Sequence, residues 1–421
     1  MIRRRLTLLD VLAIGVNAIV GSGVFAMPDD MLRAMGALSP LAYVGCALVL
    51  IPVSLCFAEL ASSETETGGP YLYARQAFGA HVGLLVGWAC YLNAFLSFAA
   101  NVTQFVALAG LREHVAYRPV VVGTILLLGA VNYVGVRPGA TLVGVMTFGK
   151  LAAIGLFVVS ALLHFDGARY AGHAELTTAG VANGVYLALF PLQGFEVVPV
   201  PAGETKNPER SIPIATVGSL VFATLLFVTV QAVMIGSYPR LGVESDTPLV
   251  DAARSFGPLI GLLVFLGSIV SVGGFSAGSA LGSPRYAQAL ATGGDLPRRL
   301  AALHPRFNTP HLAIASTTLL TALLGAFFTY RELVGFSNVT VVFQYALTCL
   351  AVPILRRRGR ASRFRVPLGW TLPLVGTVGS IALLYGSSVA ELVWAAAGLG
   401  VGVAITALVR SLERRPPNAP T

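Results

Sequence analysis

Two stretches of the chain place helix-breaking residues and polar groups inside long apolar runs. The first is Gly21-Ser22-Gly23, and the second is Phe190-Pro191-Leu192-Gln193-Gly194-Phe195-Glu196. Glycine costs a helix about 1 kcal/mol relative to alanine, and proline removes a backbone hydrogen bond. An opened helix end offers free N–H groups to an anion and free carbonyls to a cation. A small molecule that carries both a carboxylate and an ammonium requires that pair of partners.

For either stretch alone, a helix kink or close helix packing by small residues explains the glycines equally well. A broken helix at membrane depth is tolerated only where it is buried in protein or lines a water-filled cavity. Paired interruptions in corresponding helices of two halves indicate a transporter site built from inverted repeats. We therefore interpret the two breaks as parts of one binding site.

Two ionisable residues lie within apolar segments near these breaks. Lys150 lies about ten residues into its segment, roughly 15 Å from the start of a helix, and an unpaired ammonium at that depth is costly. It should face carbonyls or hydroxyls, although a lysine can also extend its ammonium to the membrane interface. Glu196 is the second candidate for a proton-linked switch. Its simpler interpretation is a carboxylate bonded to the free N–H groups of the second break.

The composition identifies the class of protein that must position these residues. Of the 421 residues, 55% are hydrophobic and 11% are charged, whereas soluble domains carry roughly 25% charged residues. This excludes a soluble enzyme and predicts an all-α polytopic membrane protein. The net charge of +9 is carried mostly by short loops rather than by one face, so a nucleic-acid partner is not expected.

A hydrocarbon core requires about 20 apolar residues per helix, and on that basis the sequence predicts twelve transmembrane helices. Their predicted ranges are 10–35, 39–63, 81–111, 119–137, 140–164, 179–202, 212–237, 256–291, 311–330, 332–355, 368–388 and 390–410. Because the breaks fall in the first and sixth segments, we expect a five-plus-five inverted repeat with discontinuous helices 1 and 6. Residues 1–410 then form one transporter domain, with repeats at 10–164 and 179–355, two additional helices at 368–410, and a tail at 411–421.

The loop charges predict the orientation. With a cytoplasmic N-terminus, 19 arginines and lysines fall inside and 7 outside, which favours both termini in the cytoplasm. The chain is then a multi-pass protein of the cell (inner) membrane, with the lipid bilayer as its surroundings.

Four stretches, in order, resemble the amino acid–polyamine–organocation (APC) superfamily of amino acid transporters, over essentially the whole chain. They are the first-helix run 15–25 (GVNAIVGSGVF), Glu59 to Ser62 with the GGPYLY run 68–73, the GETKNPERSIP run 203–213, and Ser283-Pro284-Arg285 with the GGDLP run 293–297. The resemblance implies a five-plus-five inverted repeat that works by alternating access.

The resemblance also implies roles for individual residues. Substrate contacts are expected from Ala18, Ile19, Ser22, Gly23, Asn93, Phe190, Gln193, Gly194 and Ser337, of which Ile19, Ser22 and Gly23 act mainly through backbone groups and Phe190 forms an aromatic gate. Coupling or gating is expected from Lys150, Glu196, Ser279, Phe190 and Tyr345. Lys150 matches a lysine that stands in some members where sodium-coupled relatives hold a sodium ion. Its ammonium is then expected to reach the first helix and a helix-eight hydroxyl, for which Ser279 is the candidate.

The expected function is therefore a secondary active amino acid transporter, either a proton-coupled symporter or an exchanger, with an amino acid or amine as substrate. No cofactor or metal is expected. A polyamine or cationic amino acid antiporter is the alternative, although the combination of Lys150 with Glu196 departs from the arginine/agmatine exchangers. A polytopic membrane enzyme would require a catalytic constellation at membrane depth, and a channel would require filter motifs or charged rings. The sequence contains neither.

Overall fold

The computed structural model describes residues 6–62, 69–135, 140–171, 176–199 and 205–413. Within these ranges the chain forms α-helices joined by short loops and 3-10 turns, with one isolated bridge between Leu6 and Thr205. Residues 172–175 and 200–204 lie outside the described residues, so the end of the predicted segment 179–202 does too.

The described residues of the first half form the α-helices α1 (Leu8–Ile19), α2 (Gly23–Ala26), α3 (Pro28–Met35), α4 (Pro40–Ser62), α5 (Gly69–Phe78), α6 (Ala80–Leu108), α7 (Tyr117–Tyr133) and α8 (Ala140–Leu163). Those of the second half form α9 (Thr178–Leu187), α10 (Leu189–Leu192), α11 (Pro208–Ser237), α12 (Pro248–Phe256), α13 (Pro258–Thr292), α14 (His311–Phe327), α15 (Tyr330–Arg357), α16 (Thr371–Leu383) and α17 (Val389–Glu413).

The helices of the described chain have the lengths and composition of membrane spans. Eight stretches, the first of them Leu8–Ala26, are long and apolar enough to cross a bilayer, and three shorter apolar helices accompany them. A further pair of short helices, α9 and α10, is separated at Ala188. The prediction of an all-α polytopic membrane protein is confirmed, as is the prediction of interruptions in the first and sixth segments.

The structure differs from the sequence prediction where helices are short or polar. The predicted segment 10–35 is divided into α1, α2 and α3, and the additional helices α5 and α12 fall in predicted loops. Each of these two helices is ten residues or fewer and carries charge in its last turn, so hydropathy over a span-length window does not detect them.

Two capping boxes fix the starts of helices that reach the site. Thr7 accepts a bond from the Asp10 N–H at 3.3 Å and its own N–H donates to the Asp10 carboxylate at 2.8 Å. Thr329 and Glu332 form the same reciprocal pair at the start of α15. Such boxes satisfy two N–H groups that a helix start leaves unpaired, so α1 and α15 each begin at a defined residue.

The centre of the molecule is formed by α6 and α15, which pack against each other. In the most apolar 18-residue stretch of each of these helices, 78% is buried inside the protein. By contrast, 22% of the corresponding stretch of α17 is buried, and α17 exposes large apolar side chains such as Trp394 and Leu408. In a membrane protein an exposed apolar face is the face that contacts lipid. The polar residues that accompany the two breaks therefore lie away from lipid, against α4, α11 and α15.

Candidate functional site

The first break leaves three consecutive N–H groups without partners. α1 ends at Ile19, and the Gly21 N–H turns back to the Ile19 carbonyl at 2.9 Å. Among the described residues no acceptor is found for the N–H groups of Ser22, Gly23 and Val24, although all three residues are buried. Unpaired buried N–H groups are rare in proteins, so this row of donors is suited to an anionic group of a ligand.

The second break supplies acceptors. α10 ends at Leu192, Gln193 is extended, and Gly194 has φ of 113° in the left-handed region. In the described part of the chain, the carbonyls of Pro191 and Leu192 receive no hydrogen bond. Free carbonyls at a helix end favour a cation or an N–H donor.

The two breaks touch each other at glycines. A Cβ added to Gly194 would lie 2.4 Å from the Ala18 carbonyl oxygen and 3.0 Å from the Ile19 nitrogen. A Cβ added to Gly23 would lie 2.8 Å from the Cβ of Pro191. Because each glycine lies against the backbone or ring of the opposite break, the glycines permit the close approach of two opened helices.

Lys150 lies against the end of α1. It is 1% exposed, and its Nζ donates to the Val20 carbonyl at 2.8 Å and to the Asn17 carbonyl at 3.3 Å. In a continuous helix the Asn17 carbonyl would accept from the Gly21 N–H and the Val20 carbonyl from the Val24 N–H. Here the Gly21 N–H bonds to Ile19 instead, and the Val24 N–H bonds to neither carbonyl. The ammonium therefore occupies the negative end of the α1 dipole instead of extending to the membrane interface.

Glu196 lies immediately after the second break. Its Oε2 accepts from the Gly194 N–H at 2.9 Å and from the Tyr345 hydroxyl at 3.0 Å. The first bond is the one expected of a carboxylate that satisfies a freed N–H group, and the second joins Glu196 to a residue that the sequence also placed in the site. Glu196 thus connects the residues that follow the second break to α15.

Phe190 and Ser22 meet at a tyrosine that the sequence interpretation did not include. The Tyr330 hydroxyl is hydrogen-bonded to Ser22 Oγ at 3.1 Å, and its ring lies edge-on to Phe190 with centroids 6.0 Å apart. Tyr330 is more than 300 residues away from Ser22 in the chain, so no local pattern marks the pair. It covers the site from the start of α15.

Replacing Ser22 with alanine or Tyr330 with phenylalanine removes the same hydrogen bond. A net contribution of about 0.5–1.5 kcal/mol predicts a loss of roughly 2- to 10-fold in transport rate for each variant, with no further loss in the double variant. A double-mutant cycle on transport measures this coupling. Tyr385→Phe is the matched control, because Tyr385 is 77% exposed. Fully additive effects would mean that the bond plays no part in transport.

The remaining predicted substrate residues form two hydrogen-bonded groups. Gln193 Nε2 donates to Asn338 Oδ1 at 2.9 Å, and Asn338 Nδ2 donates to the Tyr186 carbonyl at 3.1 Å. Separately, Ser337 Oγ donates to Asn93 Oδ1 at 2.5 Å, which joins α15 to α6. Since residues 337 and 338 are adjacent, one turn of α15 connects the second break to α6.

Ser279 lies on α13, and among the described residues no hydrogen bond joins it to Lys150. The bonds of Lys150 go to Asn17 near the end of α1 and to Val20 directly after that helix. Ile19 is the last residue of α1, with a buried side chain, and its carbonyl already accepts from Gly21. Asn338 and Tyr330 are the residues that the sequence interpretation missed, because their partners are distant in sequence.

Ion pairs close the α3 side of the site. Arg331 follows Tyr330 and bonds to Asp30 on α3 at 2.9 Å and to Glu244 in the loop after α11. The hydrogen bond from Arg331, with its positive charge, lowers the pKa of the Glu244 carboxyl. The cavity between Ala26 and Arg331 is about 10 Å³, which is room for about one water. A molecule larger than water does not fit this cavity.

Comparison with known proteins gives one family. The sequence profile described as amino acid permease matches residues 6–404. The chain is 30% identical to an uncharacterized transporter of Mycobacterium tuberculosis, over 98% of this chain and 93% of that protein. It is 25% identical to a branched-chain amino acid permease of Bacillus subtilis, over 91% and 87% of the two chains. It is also 25% identical to a serine/threonine exchanger of Bacillus subtilis, over 98% of both.

Proposed function

The chain belongs to the amino acid permease family, and we propose that it is a secondary active transporter that carries an amino acid across the cell inner membrane by alternating access. Coupling is either proton symport or exchange for a second amino acid. Both termini lie in the cytoplasm in this proposal, and residues 10–164 and 179–355 act as inverted repeats.

The observation that carries this proposal is the row of buried, unpaired N–H groups at Ser22, Gly23 and Val24. We assign the substrate carboxylate to these donors, because several N–H groups converging on one oxyanion bind it strongly. The substrate ammonium is assigned to free carbonyls of the second break, at Pro191 and Leu192. The backbone of the substrate is thereby recognised by backbone groups of the protein.

We infer that the substrate has an uncharged side chain. Glu196 is the acidic residue of the site, and its Oε2 already accepts bonds from Gly194 and Tyr345. Two relatives, a branched-chain amino acid permease and a serine/threonine exchanger, are named for amino acids with uncharged side chains. The alternative, a polyamine or cationic amino acid antiporter, requires a substrate cation to reach the Glu196 carboxylate beside these two partners.

Purified protein in liposomes tests the function directly. Uptake and counterflow are measured for a panel of radiolabelled amino acids and amines, with and without a pH gradient. Protein-free liposomes give the background. A pH gradient that drives net uptake supports symport, and uptake only against internal amino acid supports exchange. Folded protein that moves no member of the panel would contradict the proposal.

Analogues of the transported amino acid test the assignment of its backbone groups. A methyl ester removes the carboxylate charge and an N-acetyl group removes the ammonium. Since a hydrogen bond to a charged group contributes about 1.5–3 kcal/mol, each analogue should compete at least about tenfold more weakly. The control is a different amino acid that keeps both backbone charges and has a neutral side chain of similar size. It should compete well. If the methyl ester competed as well as the transported amino acid, the assignment of the substrate carboxylate to the first break would be wrong.

A further inference from the structure

Six arginines fall within the ten residues 356–365, which begin in the last turn of α15 and which we call the arginine segment. Three of them have partners inside the protein. Arg356 holds the Glu59 carboxylate with two bonds, at 2.7 and 2.5 Å. Arg358 and Arg360 bond to Gln76 on α5. These three arginines attach the segment to the protein.

The other three arginines, Arg357, Arg363 and Arg365, are exposed. Within the described residues none of them forms an ion pair or hydrogen bond through its side chain. The Arg357 guanidinium lies 4.0 Å from the centroid of the Trp370 ring. The sequence contains no acidic residue between 357 and 390, so no neighbour along the chain neutralises these three charges.

An apolar surface begins directly beside these arginines. Leu368 is 71% exposed with φ of 58°, a left-handed conformation that is unfavourable for leucine. Trp370 is 41% exposed, and Leu374 and Val375 continue the apolar surface along α16 with 46% and 47% exposed. Tryptophan beside arginine, followed by an apolar helix face, is the pattern of a membrane–water interface.

We propose that Arg357, Arg363 and Arg365 bind the headgroup of an anionic phospholipid, with Leu368 and Trp370 at the level of its glycerol and acyl chains. Guanidinium groups bind phosphate oxygens with paired hydrogen bonds. The surface fits a lipid better than an acidic protein segment, because the charge meets an apolar face that must lie in the bilayer. The loop charges predict that this face is cytoplasmic, where anionic lipids attract basic segments.

The bound headgroup would lie beside hydrogen bonds that join the arginine segment and Val366 to the end of α4. The Val366 N–H donates to the Glu59 carboxylate at 2.6 Å, and the Phe364 N–H donates to Ser62 Oγ at 3.2 Å. Glu59 and Ser62 belong to the last turn of α4. Lipid on the arginine segment therefore stabilises the contact of that segment with the end of α4.

Lipid titration of the purified full-length protein in detergent tests the proposal. The unfolding midpoint is followed against added phosphatidylglycerol or phosphatidylcholine, and native mass spectrometry counts the lipids retained. We expect phosphatidylglycerol to raise the midpoint at lower concentration than phosphatidylcholine. In the triple variant R357Q/R363Q/R365Q the half-saturating concentration of phosphatidylglycerol should rise about tenfold or more.

The matched control is R298Q/R299Q/R306Q, which removes three other exposed arginines, one of which also lies over an aromatic ring. This control should bind phosphatidylglycerol like the unchanged protein. Leu368→Ser should weaken retention of the lipid without changing the charge. Equal affinity of the triple variant and the unchanged protein for phosphatidylglycerol would overturn the proposal. Binding of free glycerol phosphate as tight as that of the lipid would also overturn it, because the surface would then be a soluble-anion site.

Discussion

Gly194→Ala is expected to reduce transport by about 100-fold or more and to lower the unfolding midpoint. The added Cβ would lie 2.4 Å from the Ala18 carbonyl oxygen, and φ at this position is 113°. A backbone conformation that is unfavourable for L side chains costs about 1–3 kcal/mol, and the clash adds to that cost because the atoms it meets belong to the backbone and not to a flexible side chain. The contact between the two breaks should therefore open, and the proposed site with it.

Glycines with different surroundings provide graded controls. At Gly155 a Cβ would meet nothing within 4 Å, so alanine there should be neutral or stabilise α8 by up to about 1 kcal/mol. At Gly21 the nearest atoms, at 3.1 Å, belong to the Phe275 ring, which can shift, so an intermediate loss is expected. Transport in liposomes and thermal unfolding in detergent are measured for all three variants. If Gly194→Ala had the same transport rate and unfolding midpoint as Gly155→Ala, the close contact between the two breaks would be refuted.

The positions of the breaks were predictable from sequence because helix-breaking residues in an apolar run have few explanations. Gly21 to Gly23 and Gln193-Gly194 interrupt their helices as predicted. The depth of Lys150 in its segment also indicated correctly that its ammonium needs acceptors. In each case the cost of a polar or broken backbone in an apolar environment limits the alternatives to a few.

The partners across the site could not be predicted from sequence. Tyr330 meets Ser22, and Asn338 meets Gln193, but each pair joins distant helices whose rotation depends on packing along their whole length. The loop helices α5 and α12 were missed because hydropathy reports lengths suited to a bilayer and not short amphipathic helices.

Removing the Lys150 ammonium is expected to have the second largest effect on transport. In Lys150→Met the carbonyls of Asn17 and Val20 lose their donor and the α1 end loses its adjacent cation. Hydrogen bonds to a charged group contribute about 1.5–3 kcal/mol, so we expect transport to fall roughly 10- to 100-fold. If Lys150 also takes part in coupling, the dependence of the remaining transport on pH should flatten.

Lys206→Met is the matched control, because Lys206 is exposed and is the other lysine of the chain. It should transport within about twofold of the unchanged protein, since surface charges contribute little. Initial rates from pH 5 to 8 in liposomes separate two roles of Lys150. A lower rate with an unchanged pH profile would limit Lys150 to positioning the end of α1. Unchanged rates across the whole pH range would mean that the bonds of Lys150 to Asn17 and Val20 are dispensable for transport.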